Sequence, residues 1–376
     1  MKRSPFIYGN TVSSESFTNR EVETHKLYNN LVNGINTSII SPRRWGKSSL
    51  VEKVIIDINN QESDFKTVII DLFSVSSEEE FLETFAREII KSSSSKFQDW
   101  INSSKDFFKN IIPQISIGVD PSTDFSLSFN WNEIKKHSNE ILNLPELIAK
   151  KKNVKFIICL DEFQNLSDFT DYNNFEKKLR SVWQRQKSVT YCLYGSKRHM
   201  MSEIFNNPSK PFYRFGDIMI LPKIKTEKWI DFIVSSFERT EKKINRDFAS
   251  LIPKLMENHS WYVQQLSHYI WNNTDKIVGQ KEIDSALNEL IQANSPLYQK
   301  QIEIISRTQF FLLKAVMAEE TQFTSTQVMT KYKLGTPNNV KKNKTKLVNE
   351  DIIQDSEGLC EFVDPAFKIW FKRYYL

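Results

Sequence analysis

The chain has 376 residues, 40% of them hydrophobic and 12% aromatic, enough apolar mass for a large core and for two or three compact units. Its net charge of +5 is a small excess of 51 basic over 46 acidic side chains, so bulk charge does not single out nucleic acid as a partner. Three widely separated cysteines exclude a disulfide scaffold, and no stretch approaches the roughly 20 apolar residues that span a bilayer. With no signal-peptide pattern at the start, a cytoplasmic protein without membrane contact is expected.

Strand-like and helix-like windows alternate along the first two thirds of the sequence. TSIIS at 37–41 reads as a strand, PRRWG as a turn, and Leu50, Val54 and Ile58 mark one face of the helix that follows. The unit repeats with the strand TVIIDLF at 67–73 and the helix FLETFAREII, the latter announced by Ser77 and Glu80 at capping-box spacing. Residues 114–129 read as an inserted hairpin around an Asp-Pro-Ser turn. A helix near 131–151, the strand VKFIICLDEF at 154–163, a helix near 171–186, the strand VTYCLYGS at 189–196 and the short strand DIMILP at 217–222 complete the pattern. Five strands, four of them separated by helices, predict an α/β fold with a mainly parallel sheet between helices.

Beyond Pro222 strand signals stop, and amphipathic helices fill 225–300. Residues 301–376 change rhythm: two helices, the turn LGTP, a lysine-rich helix, and two short strands around DSEG, which together read as a winged helix. The expected division is therefore a core at 1–224, a helical lid at 225–300 and a winged-helix domain at 301–376.

The segment Ser41-Pro42-Arg43-Arg44-Trp45-Gly46-Lys47-Ser48 fits the phosphate-binding loop GxxxxGK[ST] at every fixed position except the first, where serine replaces glycine. Backbone N–H groups of such a loop and of the helix after it form a concave site for phosphate. Lys47 is expected on the β and γ phosphates and Ser48 on Mg²⁺, with Ser49 in the same turn. The strand FIICL ends in Asp161 and Glu162; carboxyl ends of parallel strands face the ligand, so Asp161 is the expected second magnesium residue and Glu162 the group that activates water. Ser196, closing the strand VTYCLYGS, stands at the same edge as a further catalytic candidate or as a helix cap, and Arg214 is a candidate for stabilising transition-state charge or a surface ion pair.

These motifs together resemble the predominantly archaeal ATPase family of the STAND clade, also common in bacteria and related in build to origin-recognition ATPases. SPRRWGKSSL is similar to the family's phosphate loop, LDEFQ to its acidic strand end, YGSKRHMMSEIF and PFYR to its next strand and arginine segment, NHSWYVQQLSHYIW to its lid helix, and DPAFKIWFKRYYL to its closing helix. Phe17-Thr18-Asn19-Arg20-Glu21-Val22-Glu23 is similar to the clade's hhGRExE motif, with Asn19 where glycine is usual, and the resemblance implies Arg20 and Glu21 near the nucleotide. It also implies ATP as that nucleotide, an ATPase activity that slow turnover would satisfy, and the P-loop fold of the ASCE class with a lid and winged helix.

Two functional classes stand open on the sequence. In one, the nucleotide state of a regulatory switch controls an unidentified protein partner. In the other, the winged helix binds duplex DNA through Lys341, Lys342, Lys344 and Lys346, four of six lysines in an acid-free stretch from Lys331 to Asn349. An oligomer is compatible with either.

Overall fold

The computed structural model describes residues 3–9, 20–93, 116–120, 123–128, 134–356 and 358–376. They form two compact units: Arg20–Arg43 with Lys47–Pro222, and the described part of Met1–Asn19 with Arg44–Gly46 and Lys223–Leu376.

The first unit runs α1 (Glu21–Val32), β1 (Thr37–Ile40), α2 (Lys47–Gln61), β2 (Phe65–Asp71), α3 (Glu78–Ser92), β3 (Ser116–Asp120), β4 (Thr123–Ser128), α4 (Ser138–Leu142), α5 (Leu144–Lys152), β5 (Lys155–Asp161), α6 (Tyr172–Trp183), β6 (Val189–Gly195), α7 (Arg198–Asn206) and β7 (Asp217–Ile220). Five strands form one sheet in the order β2-β5-β6-β1-β7, every pair parallel. Parallel neighbours need crossover connections, which cover both faces with helices, so inner strands must be apolar on both sides. Accordingly β1 and β6 are buried along their whole length and Phe156–Leu160 of β5 are fully enclosed. The outermost strands β2 and β7 leave Ile69 and Ile220 exposed.

The core of this unit is aromatic, with Trp183 stacked on Tyr191 at 4.2 Å between centroids and Phe212 edge-on to Trp183. Ser77 caps α3 by accepting from the Glu80 N–H, whereas the Glu80 carboxylate reaches back to Ser76 N rather than to the cap residue itself. The helix expected near 131–151 is broken: a single turn at Lys135–His137 leads into α4, and α5 begins anew at Leu144. Pro145 has no N–H to offer the Ile141 carbonyl, so the ladder stops there and proline opens the next helix. Residues 131–133 lie outside the described residues. The inserted segment pairs as an antiparallel hairpin, Ser116 opposite Ser128, with an irregularity between Gly118 and Asp120; its turn at 121 and 122 is also outside them.

The second unit contains α8 (Thr226–Arg239), α9 (Arg246–Leu255), α10 (Ser260–Asn273), α11 (Gln280–Ile304), α12 (Arg307–Met317), α13 (Thr326–Tyr332), α14 (Pro337–Asn349), β8 (Ile353–Ser356), β9 (Leu359–Phe362) and α15 (Pro365–Tyr375). From α12 onward the order is helix, helix, helix, hairpin, helix, and β8 and β9 are antiparallel. Thr336 accepts from the Asn339 N–H with Pro337 in the first turn of α14, which fixes the start of the lysine-rich helix.

Two boundaries differ from the sequence reading. The division expected at 300/301 falls inside α11, an unbroken helix of 25 residues, and one apolar cluster runs from Ile224 to Phe371. The first described segment, assigned to the core by sequence, instead packs with the helices of the second unit. Phe6 is buried against Phe232 and Phe237, Tyr8 lies edge-on to Trp261, and the Ser4 hydroxyl meets His268 Nδ1 at 2.9 Å. The last helix is tied in by Asp364, which caps Phe367 N and accepts from the hydroxyls of Tyr262 on α10 and Tyr298 on α11. Burial raises the Asp364 carboxyl above its usual range, against those three hydrogen bonds. Among the described residues no helix is long and apolar enough to cross a membrane. All three cysteines are free and buried.

Candidate active site

The site is assembled by strand register. Ile40 of β1 pairs with Gly195 of β6, and Leu160 of β5 with Leu193, so Ser41, Ser196 and Asp161 leave the sheet at one edge. From Ser41 the chain turns through the phosphate loop into α2, with left-handed backbone at Arg44 (φ 65°) and Gly46 (φ 90°). The left-handed region suits a residue without a Cβ at 46. Ser41, where glycine is usual, is fully buried and its hydroxyl is used locally, donating to the Pro42 carbonyl at 3.1 Å. Pro42 is partly covered, Arg43 and Arg44 are exposed, Trp45 is half-buried, and Ser49 is buried in the first turn of α2.

Two polar contacts join the loop to the strand end. The Ser48 hydroxyl donates to Asp161 Oδ2 at 2.9 Å, and the buried Lys47 places Nζ 3.5 Å from Glu162 Oε1. The other Glu162 oxygen, Oε2, accepts from Gln164 Nε2 at 2.5 Å, from the Ser196 hydroxyl at 2.8 Å and from Ser196 N at 3.3 Å. Arg43 Nε in turn donates to the Ser196 hydroxyl at 3.4 Å. Glu162 itself is left-handed (φ 53°), a strained state for a residue with a side chain and one that collects at functional sites. Ser196 thus binds the acid directly rather than capping α7, whose first residue is Arg198.

The two acids are tuned in opposite directions. Burial raises the Asp161 carboxyl, although Lys47 and the hydrogen bonds from Ser48 and Glu162 N work against it. Burial acts the same way on Glu162, but there Lys47, Gln164 and Ser196 together outweigh it and hold the carboxyl below its usual range. Glu162 is therefore ionised at neutral pH.

The remaining sequence candidates are placed elsewhere. Arg20 is buried at the start of α1, where its guanidinium donates to the Pro222 carbonyl at 2.7 Å and pairs with Glu23 at 3.3 Å, bracing the exit of β7; Glu21 is exposed. Phe17, Thr18 and Asn19 of the same motif lie outside the described residues. Arg214 precedes β7, whose first residue Asp217 is aligned with Thr37 at the start of β1. In a parallel sheet that is the edge opposite the phosphate loop, so Arg214 is not brought into the cluster; it is exposed, with its guanidinium 5.2 Å from the Tyr213 ring. Gln164 joins the cluster without having been singled out by its motif, though it stands in the LDEFQ stretch.

In the second unit His259 precedes α10 and is buried, with no hydrogen-bond partner for Nδ1 among the described residues. Burial, helped by the charges of Lys223 and Arg44 in the same unit, pushes the imidazole down to about 3. The unfolded chain then takes up this proton below about pH 6.5 while the folded one refuses it. This contribution to stability is intact above pH 6.5 and falls by about 1.4 kcal/mol per unit below it. Denaturant midpoints at pH 7 and pH 5 are expected to separate by less in His259→Asn than in the parental chain.

The strand order, the loop after β1 and the acids after β5 define a P-loop ATPase fold, followed at the C-terminus by a winged helix. The comparisons agree: residues 296–373 match a family model described as a probable winged helix domain. The Walker-type ATPase PABY2304 of Pyrococcus abyssi superposes with a TM-score of 0.69 at 15% identity, covering 98% of this chain and 99% of that one. The ORC2 protein of Aeropyrum pernix in its ADPNP–ADP complexes gives 0.57 at 12% identity over 93% and 90%. The ORC1 protein of the same organism, in complex with DNA, gives 0.50 at 13% over 97% and 94%. Identities of this size establish a shared fold. No curated protein matches the chain in sequence.

Proposed function

We propose that the chain binds and hydrolyses ATP and acts as a regulatory switch, its nucleotide state governing a protein partner through the helical unit. The observation that carries this reading is the convergence of Lys47 and Ser48 with Glu162 and Asp161. Lys47 pairs with Glu162 Oε1; phosphate oxygens would take over the ammonium and free that oxygen. That oxygen then accepts the proton of a water whose oxygen forms the new bond to the γ-phosphorus as the bond to the ADP oxygen breaks. The Ser48 hydroxyl and the Asp161 carboxylate, already 2.9 Å apart, are the hard oxygen donors that suit Mg²⁺. Bound there, the ion would draw charge from the phosphate oxygens.

Partner choice turns on the winged helix. Lys344 pairs with Asp355 of β8 at 2.7 Å and Lys346 with Glu350 at 3.7 Å, so two of the four candidate lysines are already neutralised within the domain. Residues 350–366 hold six acids and no lysine or arginine, a composition that repels a phosphate backbone. This favours a protein partner. The DNA reading keeps Lys341 and Lys342, both exposed and without an ion pair among the described residues, and the likeness to an ORC1 solved with DNA. ATP turnover with and without duplex DNA at two salt concentrations separates the readings. If DNA binds, Lys341→Ala with Lys342→Ala should lower the log–log salt slope by about 1.8, at roughly 0.9 per phosphate contact. Turnover unmoved by DNA and no binding at low salt leaves the protein partner; no phosphate release under any condition removes the ATPase reading.

A further inference from the structure

Gln164 is a polar side chain that is almost completely enclosed, 1% exposed. Its Nε2 donates to Glu162 Oε2 at 2.5 Å and, more weakly, to Asn165 Oδ1 at 3.3 Å, while Asn165 Nδ2 reaches the Leu72 carbonyl at the exit of β2. Its Oε1 has no hydrogen-bond partner among the described residues. A buried acceptor left unpaired is costly, so an amide kept merely to fill space is disfavoured against an apolar side chain of the same length.

The space is supplied by another residue. A Cβ on Gly195, the last residue of β6, would lie 1.8 Å from Gln164 Oε1 and 2.9 Å from Met201 Sδ. The Gly195 backbone is not left-handed, so glycine is required there for room rather than for conformation. The space left at the end of β6 thus houses an amide whose acceptor is unpaired among the described residues and whose donor is spent on Glu162.

We infer that Gln164, seated in the Gly195 void, is a positioning residue that with Ser196 clamps Oε2 of Glu162, so that only Oε1 is exchanged between Lys47 and the attacking water. The inference rests on the reading of Glu162 as the group that accepts the water's proton. One oxygen held by three donors leaves the other a single orientation for that transfer, and misplacement of a general base is felt in the chemical step rather than in nucleotide binding.

Gln164→Met keeps length and packing and removes the donor. Expected are a fall in kcat of roughly 10-fold to 100-fold, a part of the roughly 10²–10⁴ that general-base catalysis supplies, and a KM for ATP within about twofold of the parental value. Gly195→Ala moves the amide without removing it and should reproduce the loss of kcat; in a Gln164→Ala background it should cost little further activity, because the clash partner is gone. A structural role alone predicts kcat and KM that move together, or a parental kcat, in Gln164→Met, and either result in folded protein overturns the inference. Glu162→Gln measured alongside separates the two levels. Hydrolysis surviving that change removes the reading of Glu162 itself, whereas its loss together with parental kcat in Gln164→Met removes the clamp alone.

Discussion

Lys47→Ala is expected to lose ATP affinity by a large factor while the chain stays folded. The side chain is buried at the first position of α2 with its ammonium turned to Glu162, and no apolar core contact depends on that charge. Removing one partner of an enclosed charge-assisted contact costs roughly 2–5 kcal/mol, which is about 30-fold to a few thousandfold in Kd. The measurement is nucleotide titration followed by fluorescence or calorimetry, with far-UV circular dichroism as the control for folding. The lysine's departure also leaves the half-buried Glu162 without its cation. Unchanged affinity in folded Lys47→Ala would place the phosphates elsewhere.

How far the sequence carried the fold and site follows from which signals are local. The continuous apolar runs of β5 and β6 are readable because inner parallel strands are buried on both faces, and the loop into α2 is readable because its residues are contiguous. Asp161 and Glu162 followed from strand direction alone. The same rule, applied to Arg214, would have placed it on the far edge: residues before a parallel strand and residues after one lie at opposite ends of the sheet. The break at Pro145 was written in the sequence but lost in a long helical window. Other features had no local signature. Phe6 joins a cluster whose remaining members begin at Ile224, and the role of Gln164 depends on a missing side chain at Gly195 on a different strand. The division read at 300/301 falls inside α11, because composition changes there while the helix does not end.

Glu162→Gln should retain ATP and lose its hydrolysis. An amide of the same size keeps the packing but cannot take a proton from water as the carboxylate does, and general-base catalysis typically supplies about 10²–10⁴ in rate. Binding should be at least parental. In the wild-type chain ATP must draw Lys47 away from Glu162 Oε1, and a neutral side chain at 162 no longer competes for the ammonium. The pH dependence follows from the direction of the shift: the Glu162 carboxyl lies below its usual range, so wild-type turnover should be flat through neutrality and decline only as pH falls through that depressed value. The glutamine variant should show no such limb in whatever rate remains. Single-turnover phosphate release across pH, with ATP retention measured on the same samples, reads all three. Parental turnover in folded, ATP-bound Glu162→Gln would mean that the proton goes to another group. Among the described residues Asp161 is the other carboxylate in the cluster, and the Ser48 hydroxyl and the backbone N–H of Glu162 already occupy its two oxygens.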